Sequence, residues 1–106
     1  MPHIIYGGLK YNQVRHAIYC KRCQDTIESN DIHDFKYCMC GSVGIDGGVY
    51  NGNGILGNFS LMEDRSMYVA TIGTKQYKLW LPEEVIETNF NNLIKVSLLK
   101  LNKYNN

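Results

Sequence analysis

Four cysteines in two close pairs are the residues of this 106-residue chain whose types and spacing could do chemistry. Cys20 and Cys23 form the first pair, Cys38 and Cys40 form the second, and the chain contains no other cysteine. Each pair suits a tight turn that brings two sulfurs within about 4 Å of each other, and a tetrahedral Zn²⁺ with Zn–S bonds of about 2.3 Å needs two such turns. The spacing therefore predicts a single zinc site with these four ligands.

Disulfides or free thiols are the alternative to a metal. The first residues show no basic region followed by an apolar stretch, so we expect no secretory signal and a reducing compartment, where paired cysteines usually bind metal. Four thiolates close the coordination shell, which is typical of a structural rather than a catalytic zinc. His33 could replace one cysteine, but four sulfurs are already available.

Catalysis finds little support in the sequence. A Cys-x-x-Cys redox motif would need a thioredoxin-like βαβ context, and it would leave Cys38 and Cys40 unexplained. The acid–base candidates near the metal are His33, Asp34 and Asp46, and the sequence places no nucleophile among them. We therefore expect that this protein is not an enzyme.

Composition and charge limit the kinds of partner. The hydrophobic fraction of 44% is ordinary for a globular domain, and no apolar run is long enough to cross a membrane. The net charge of +1 is far from the basic excess of a general nucleic-acid binder, and it is equally far from the acidity of a DNA mimic. Recognition by charge must therefore come from local patches.

The residue patterns predict an α+β fold in a single domain. Residues 12–48 form a zinc ribbon-like unit, residues 67–81 form a β-hairpin around Gly73, and residues 82–103 form a C-terminal amphipathic helix. Pro82 suits the first helical position, and glutamates follow it in the first turn. The predicted apolar stripe of this helix consists of Ile86, Phe90, Leu93, Ile94, Leu98 and Leu101.

Two features of the helix stay open at this point. The asparagines at 89, 91 and 92 could divide it into two pieces. Val96 and Leu99 lie off the main stripe, so they are either buried in the core or available to a partner.

Two other segments are predicted to be loops. Residues 24–34 are polar, and residues 47–61 are rich in glycine and asparagine. Gly52, Gly54 and Gly57 match the spacing of a dinucleotide-binding fingerprint, but that site needs a strand before it, a helix after it and a βαβ unit around it. We therefore interpret the glycines as part of a connecting segment.

The loop between the cysteine pairs is acidic. Asp25, Glu28, Asp31 and Asp34 lie in it, with no lysine or arginine from residue 24 to residue 35. Such a loop is usually a solvated surface. The alternative is a recognition edge that contacts a basic surface on a protein partner.

Residues 12–50 resemble a small zinc-ribbon domain found in phage and prophage proteins of low-GC bacteria. The motifs that carry the likeness are Cys20-Lys-Arg-Cys23, Thr26-Ile-Glu-Ser29, His33-Asp-Phe35, Cys38-Met-Cys40-Gly41 and Asp46-Gly-Gly48. The sequence is similar to members that act as anti-CRISPR inhibitors of the type II RNA-guided DNA nuclease. The resemblance implies that the four cysteines hold zinc and that the protein acts in the bacterial host cytoplasm.

Two hypotheses follow. In the first, a phage-encoded protein binds the host nuclease and blocks productive loading or cleavage of target DNA, without binding nucleic acid itself. In the second, a zinc-ribbon accessory protein of phage gene expression binds nucleic acid through a basic and aromatic strand face. The residues of that face would be Lys10, Arg15, Lys21, Arg22 and Lys36 together with Tyr6, Tyr11, Tyr19 and Tyr37.

Overall fold

The described chain folds into two antiparallel sheets and a C-terminal helix, which confirms the predicted α+β class. The computed structural model describes residues 2–74 and 77–104, with helix side chains described as far as residue 96. In chain order the elements are β1 (His3–Tyr6), β2 (Leu9–Cys20), β3 (Thr26–Ser29), β4 (Lys36–Tyr37), β5 (Val43–Asp46), β6 (Gly54–Gly57), the 3-10 turn η1 (Phe59–Leu61), β7 (Met62–Asp64), β8 (Met67–Ile72), β9 (Tyr77–Trp80) and α1 (Glu83–Tyr104). Strands β4, β5 and β6 form the smaller sheet, and the other described strands form the larger one.

Strand β2 organises the larger sheet because it is long enough to pair with four other strands. Its first half pairs with β1 and β8, and its second half pairs with β3 and β7. The register with β8 shifts between Gln13 and Arg15, which marks an irregularity of the kind that bends a strand. Since β2 ends at Cys20, this strand places the first cysteine of the predicted site.

The smaller sheet closes the main core. Val43 and Ile45 of β5 are completely buried and belong to the same cluster as Ile18 of β2. Gly44 lies between them, where an added Cβ would come within 3.0 Å of the Tyr37 ring. The buried members of this cluster are Ile18, Cys20, Ile27, Cys38, Val43, Ile45, Met62 and Phe90. Two of the predicted metal ligands are therefore core residues.

Helix α1 is one continuous helix, which decides between the two alternatives left open by the asparagines. Its first turns cover a second buried cluster that contains Ile86, and Phe90 reaches the main core. Leu93 of the expected stripe is exposed, whereas Ile94 is partly buried against the main core. Val96, which lies off the stripe, is also exposed. Leu98, Leu99 and Leu101 lie outside the residues whose side chains are described. No helix in the described chain is long and apolar enough to cross a membrane.

Two predicted loops contain strands. The polar segment at residues 24–34 includes β3, in which Ile27 and Ser29 are buried while their neighbours are not, because the segment pairs with the second half of β2. The connecting segment at residues 47–61 includes β6, which pairs with β5. The element directly after β6 is the short 3-10 turn η1 and not an α-helix, so the glycines lack the context of a dinucleotide site.

A buried polar network joins the two sheets. Asn53 Nδ2 donates to Gln13 Oε1 at 2.9 Å. The other atom of the Gln13 amide, Nε2, therefore faces His16 Nδ1 and the Ser66 hydroxyl, each at 3.3 Å. His16 Nε2 lies 3.0 Å from the carbonyl oxygen of Gly54. A carbonyl only accepts, so Nε2 carries the hydrogen and Nδ1 accepts from Gln13. The network fixes β2 against β6 and against the turn between β7 and β8.

Substitution of Gly57 tests how closely β6 approaches the loop before β5. Its φ is +108°, and an added Cβ would lie 2.2 Å from the carbonyl oxygen of Ser42. We expect Gly57→Ala to lower the free energy of unfolding by about 2–4 kcal/mol, because a backbone clash adds to the strain of the positive φ.

Gly52→Ala is the matched control. Gly52 has a φ of +86°, but no described atom lies within 4 Å of the added Cβ. We expect a loss of about 1 kcal/mol from the positive φ alone. Urea unfolding measures both variants, and equal losses would argue against the tight contact at Gly57.

Candidate metal centre

Two backbone turns place the four cysteines. After β2 ends at Cys20, the Gln24 N–H donates to the Cys20 carbonyl at 2.8 Å, and Gln24 adopts a φ of 61°. Between β4 and β5, the Gly41 N–H donates to the Cys38 carbonyl at 3.0 Å, and Gly41 has a φ of 75°. Positive φ favours glycine, so Gly41 matches its predicted role after the second pair.

The four sulfurs converge on one point. All four Sγ atoms lie within 4.8 Å of one another, and Cys40 Sγ lies 3.8 Å from Cys20 Sγ and 3.6 Å from Cys38 Sγ. A tetrahedron with Zn–S bonds of about 2.3 Å has edges of about 3.8 Å. The donor set and its spacing therefore fit a metal ion such as zinc, with four ligands that leave no open position.

The ionisation of the thiols also fits a cation at this point. The hydroxyl of Ser42, 3.2 Å from Cys40 Sγ, and the backbone N–H of Ser42 lower the pKa of Cys40 to about 6. The Cys23 backbone N–H lowers the pKa of Cys20, but burial and the neighbouring thiols together raise it to about 11. Like groups packed this closely cannot all ionise without a compensating charge. A bound divalent cation would supply that charge and ionise all four.

The cations near the site differ in their environment. Arg22 Nη1 donates to the Ser42 hydroxyl at 3.5 Å, so it is linked through Ser42 to Cys40. Lys21 is exposed, and Lys36 forms an ion pair with Asp34 at 3.1 Å. His33 is exposed and does not belong to the sulfur cluster, so the described geometry gives it no role as a ligand.

Each acidic residue of the proposed recognition edge accepts a hydrogen bond from within the chain. Asp25 Oδ2 accepts from the Met39 N–H at 3.0 Å, and Asp34 Oδ2 accepts from the Asn30 N–H at 2.8 Å. Glu28 accepts from Arg15 Nε at 2.7 Å, and Asp31 Oδ1 accepts from the Ile32 N–H at 2.6 Å.

The segment contains no cation of its own, but two of its four carboxylates, those of Glu28 and Asp34, form ion pairs with cations that lie outside it. Pairing of β3 with β2 brings Arg15 to Glu28, and Lys36 follows Asp34 at the start of β4. The Arg15–Glu28 pair was not visible from the charge run, because it depends on the register between β2 and β3. Binding of a partner by the four acidic residues stays a prediction.

The sequence did not reveal an exposed apolar group, defined here as the four exposed apolar residues between positions 32 and 39, which lead into the second cysteine pair. Its members are Ile32, Phe35, Tyr37 and Met39. Met39, between two ligands, is 85% exposed, and the rings of Phe35 and Tyr37 meet edge to face with their centres 5.1 Å apart. The only signal in the sequence was the i, i+2 spacing of Phe35 and Tyr37, which places them on one face of a strand.

The basic and aromatic residues of the alternative hypothesis do not all share one exposed face. Tyr11 is only 4% exposed and belongs to the second buried cluster. Arg15 and Lys36 are engaged in ion pairs. The guanidinium of Arg65 lies 5.0 Å from the centre of the Tyr19 ring.

Comparison with known families places the sulfur site in a recognised segment. The model of a domain of unknown function (DUF7695) matches residues 9–51, which contain all four cysteines and strands β2 to β5. The match covers less than half of the chain and leaves out the hairpin and α1. No curated protein and no solved structure matches the chain.

Replacement of one thiol tests the metal site. We expect Cys40→Ser to lose bound zinc and to unfold at a temperature well below that of the wild type, because metal binding and folding are coupled. Met39→Ser is the matched control, since Met39 lies between two ligands but is 85% exposed. Elemental analysis and thermal unfolding check both proteins. A Cys40→Ser protein that keeps wild-type stability under a chelator would argue against a structural metal.

The pKa values of Asp34 and Asp64 are shifted in opposite directions, so removal of each charge should change stability differently. The Asn30 N–H and then the Lys36 ammonium lower the pKa of Asp34, whereas burial raises the pKa of Asp64 even though the Ser66 N–H donates to it at 2.8 Å. The ordinary pKa of an aspartate is 3.8. Because the pKa of Asp34 is lowered in the folded protein, its ionised carboxylate stabilises the fold above pH 3.8. Because the pKa of Asp64 is raised, its ionisation costs stability as the pH rises through the folded pKa. At pH 7 we therefore expect Asp34→Asn to lower the melting temperature and Asp64→Asn to maintain or raise it.

Thermal unfolding of the zinc-loaded proteins measures both effects. Each asparagine keeps an amide oxygen that can accept from the same backbone N–H, so each change mainly removes the charge. A lower melting temperature for Asp64→Asn than for Asp34→Asn would contradict these directions.

Proposed function

We propose that the protein is a phage-encoded inhibitor of the host type II RNA-guided DNA nuclease, and that it acts in the host cytoplasm as a protein-binding module with a structural zinc. The exposed apolar group Ile32, Phe35, Tyr37 and Met39 carries this proposal. Four apolar side chains within eight residues lose contact with water when they dock on a protein surface. Tyr37 directly precedes Cys38, and Met39 lies between Cys38 and Cys40, so zinc would hold this part of the contact surface in shape.

The closed donor set supports a structural rather than a catalytic role for the metal. A catalytic zinc keeps a position for water or substrate, whereas four thiolates occupy all tetrahedral positions. Two of the four thiols are buried in the main core. A metal bound by these thiolates would therefore serve to join the end of β2 to the β4–β5 turn.

The distribution of charge supports a protein partner over a nucleic acid. Phosphate binding draws on cations that are free to replace counterions. Arg15, Lys36 and Arg65 are already paired with carboxylates of this chain. The net charge of +1 provides little long-range attraction for a polyanion.

The nuclease as the specific partner rests on the resemblance of residues 12–50, the segment that also carries the sulfur site. An inhibitor of this kind would occupy a protein surface that the nuclease needs for the guide, for target DNA or for its change of shape. Mimicry of a DNA rod would require a strongly acidic surface, which this chain lacks.

A nucleic-acid-binding accessory protein is the second candidate. The exposed rings of Phe35 and Tyr37 favour it, because bases stack on exposed aromatic side chains. The two candidates differ in their dependence on salt. Affinity for nucleic acid falls steeply between low and moderate salt, whereas an apolar protein contact is much less sensitive.

Reconstitution with purified type II nucleases tests the proposal. We expect the zinc-loaded protein to comigrate with the nuclease in size-exclusion chromatography, to reduce cleavage of target DNA, and to leave the mobility of free DNA and RNA unchanged. Tyr37→Ser combined with Met39→Ser should weaken the complex at least about tenfold, as expected for the loss of central apolar contacts.

Tyr50→Ser is the matched control, since Tyr50 is similarly exposed but lies outside the apolar group. Zinc content verifies that each variant is folded. Absence of binding and inhibition with nucleases from a range of plausible hosts would refute the nuclease as partner. Retarded free nucleic acid that is released by moderate salt would favour the second candidate.

A further inference from the structure

The hairpin ends in an open edge strand. Strand β9 follows β8 at the end of the sheet order β1-β2-β8-β9, and each of its four residues is exposed. They include Tyr77, Leu79 and Trp80, which is the single tryptophan of the chain. Proteins usually protect such edges with charges, prolines or bulges, and β9 carries only one charged residue, Lys78.

The hydrogen bonds of the hairpin determine which backbone groups face outward. The Leu81 N–H donates to the Tyr68 carbonyl at 3.0 Å, and Leu79 lies opposite Ala70 two residues earlier. Backbone groups along a strand point alternately to its two sides. Leu79 therefore bonds towards β8, and the N–H and C=O groups of Lys78 and Trp80 point to the open edge.

The second buried cluster covers one face of this sheet but does not bury its edge strand. Ala70 is 2% exposed in the second buried cluster, whereas its cross-strand partner Leu79 is 43% exposed. From its position in the register, Leu79 lies on the same face as Ala70 and continues that cluster. A second strand placed against β9 would cover Leu79.

We propose that two copies of the chain pair antiparallel through β9 and form a homodimer with its two-fold axis at Leu79. In this register the backbone N–H and C=O of Lys78 in one copy bond to the C=O and N–H of Trp80 in the other. The two-fold axis generates the equivalent pair of bonds between Trp80 of the first copy and Lys78 of the second. The two Leu79 side chains form the central non-hydrogen-bonded pair, where side chains approach most closely. The sheet then continues from one copy into the other, and the proposal is independent of the nuclease.

The sequence of β9 selects this register over its neighbours. Pairing centred on Lys78 would place two ammonium groups opposite each other, which is unfavourable. Pairing centred on Trp80 would place Pro82, which has no N–H, opposite Lys78. The register centred on Leu79 instead places each Lys78 opposite a Trp80 ring, an arrangement that permits a cation–π contact.

Sedimentation of the full-length, zinc-loaded protein across the micromolar range tests the dimer. We expect the wild type to have the mass of two chains, and the fluorescence of Trp80 to move to shorter wavelength as the dimer forms. Leu79→Glu should weaken the dimer at least about tenfold, because two carboxylates would meet at the axis. Lys78→Pro should also weaken it, because it removes an N–H that pairs only between copies, and edge strands accept proline at such positions.

Ile5→Glu is the matched control on β1, the opposite edge of the same sheet, where Ile5 is exposed. Its dimer should equal that of the wild type, and circular dichroism and zinc content check the folding of each variant. A monomeric wild type throughout the range would overturn the proposal. So would a dimer that persists in both β9 variants, or one that Ile5→Glu disrupts.

Discussion

Convergence of the four thiols is the constraint on which the rest of the structure depends. The second half of β2 and the β4–β5 turn meet at the sulfurs, and Cys20 and Cys38 are packed in the same cluster as Ile18, Val43 and Ile45. A domain of this size buries a modest core, so a metal that joins two chain segments adds stability that packing alone would not supply. The Asp25 carboxylate, which accepts from the Met39 N–H, holds the second turn in the same position.

The candidate metal site and the exposed apolar group are neighbours along the chain. A turn that aims two sulfurs inward at Cys38 and Cys40 leaves the intervening Met39 pointing outward. Tyr37 lies over Gly44, the one position in β5 without a side chain on that face, so the ring rests on the sheet. The acidic side chains around this surface are held by hydrogen bonds and ion pairs within the chain. This leaves apolar contact as the main means of recognition available there.

The two proposed contact surfaces lie in different halves of the molecule. The apolar group belongs to the part around the sulfur site, and β9 belongs to the hairpin that packs against the start of α1. Strand β2 and the buried network of Gln13, His16 and Ser66 connect the two halves. The family match covers the sulfur site and β2 but not the hairpin. The proposed partner protein and the proposed second copy would therefore contact different parts of the chain.

The sequence by itself determined the local features: the two cysteine pairs, the hairpin at residues 67–81, a helix beginning close to Pro82, and the φ > 0 position at Gly41. The helix begins at Glu83, one residue later than predicted. These depend on spacing and on the conformational preferences of single residues, which act over a few positions. Tertiary structure alone decided the rest. Strands β3 and β6 exist because β2 and β5 offer them partners, Arg15 reaches Glu28 through a strand register, and Leu93 is exposed although it fits the helical stripe. Pairing and burial depend on residues distant in the chain, and no local pattern contains that information.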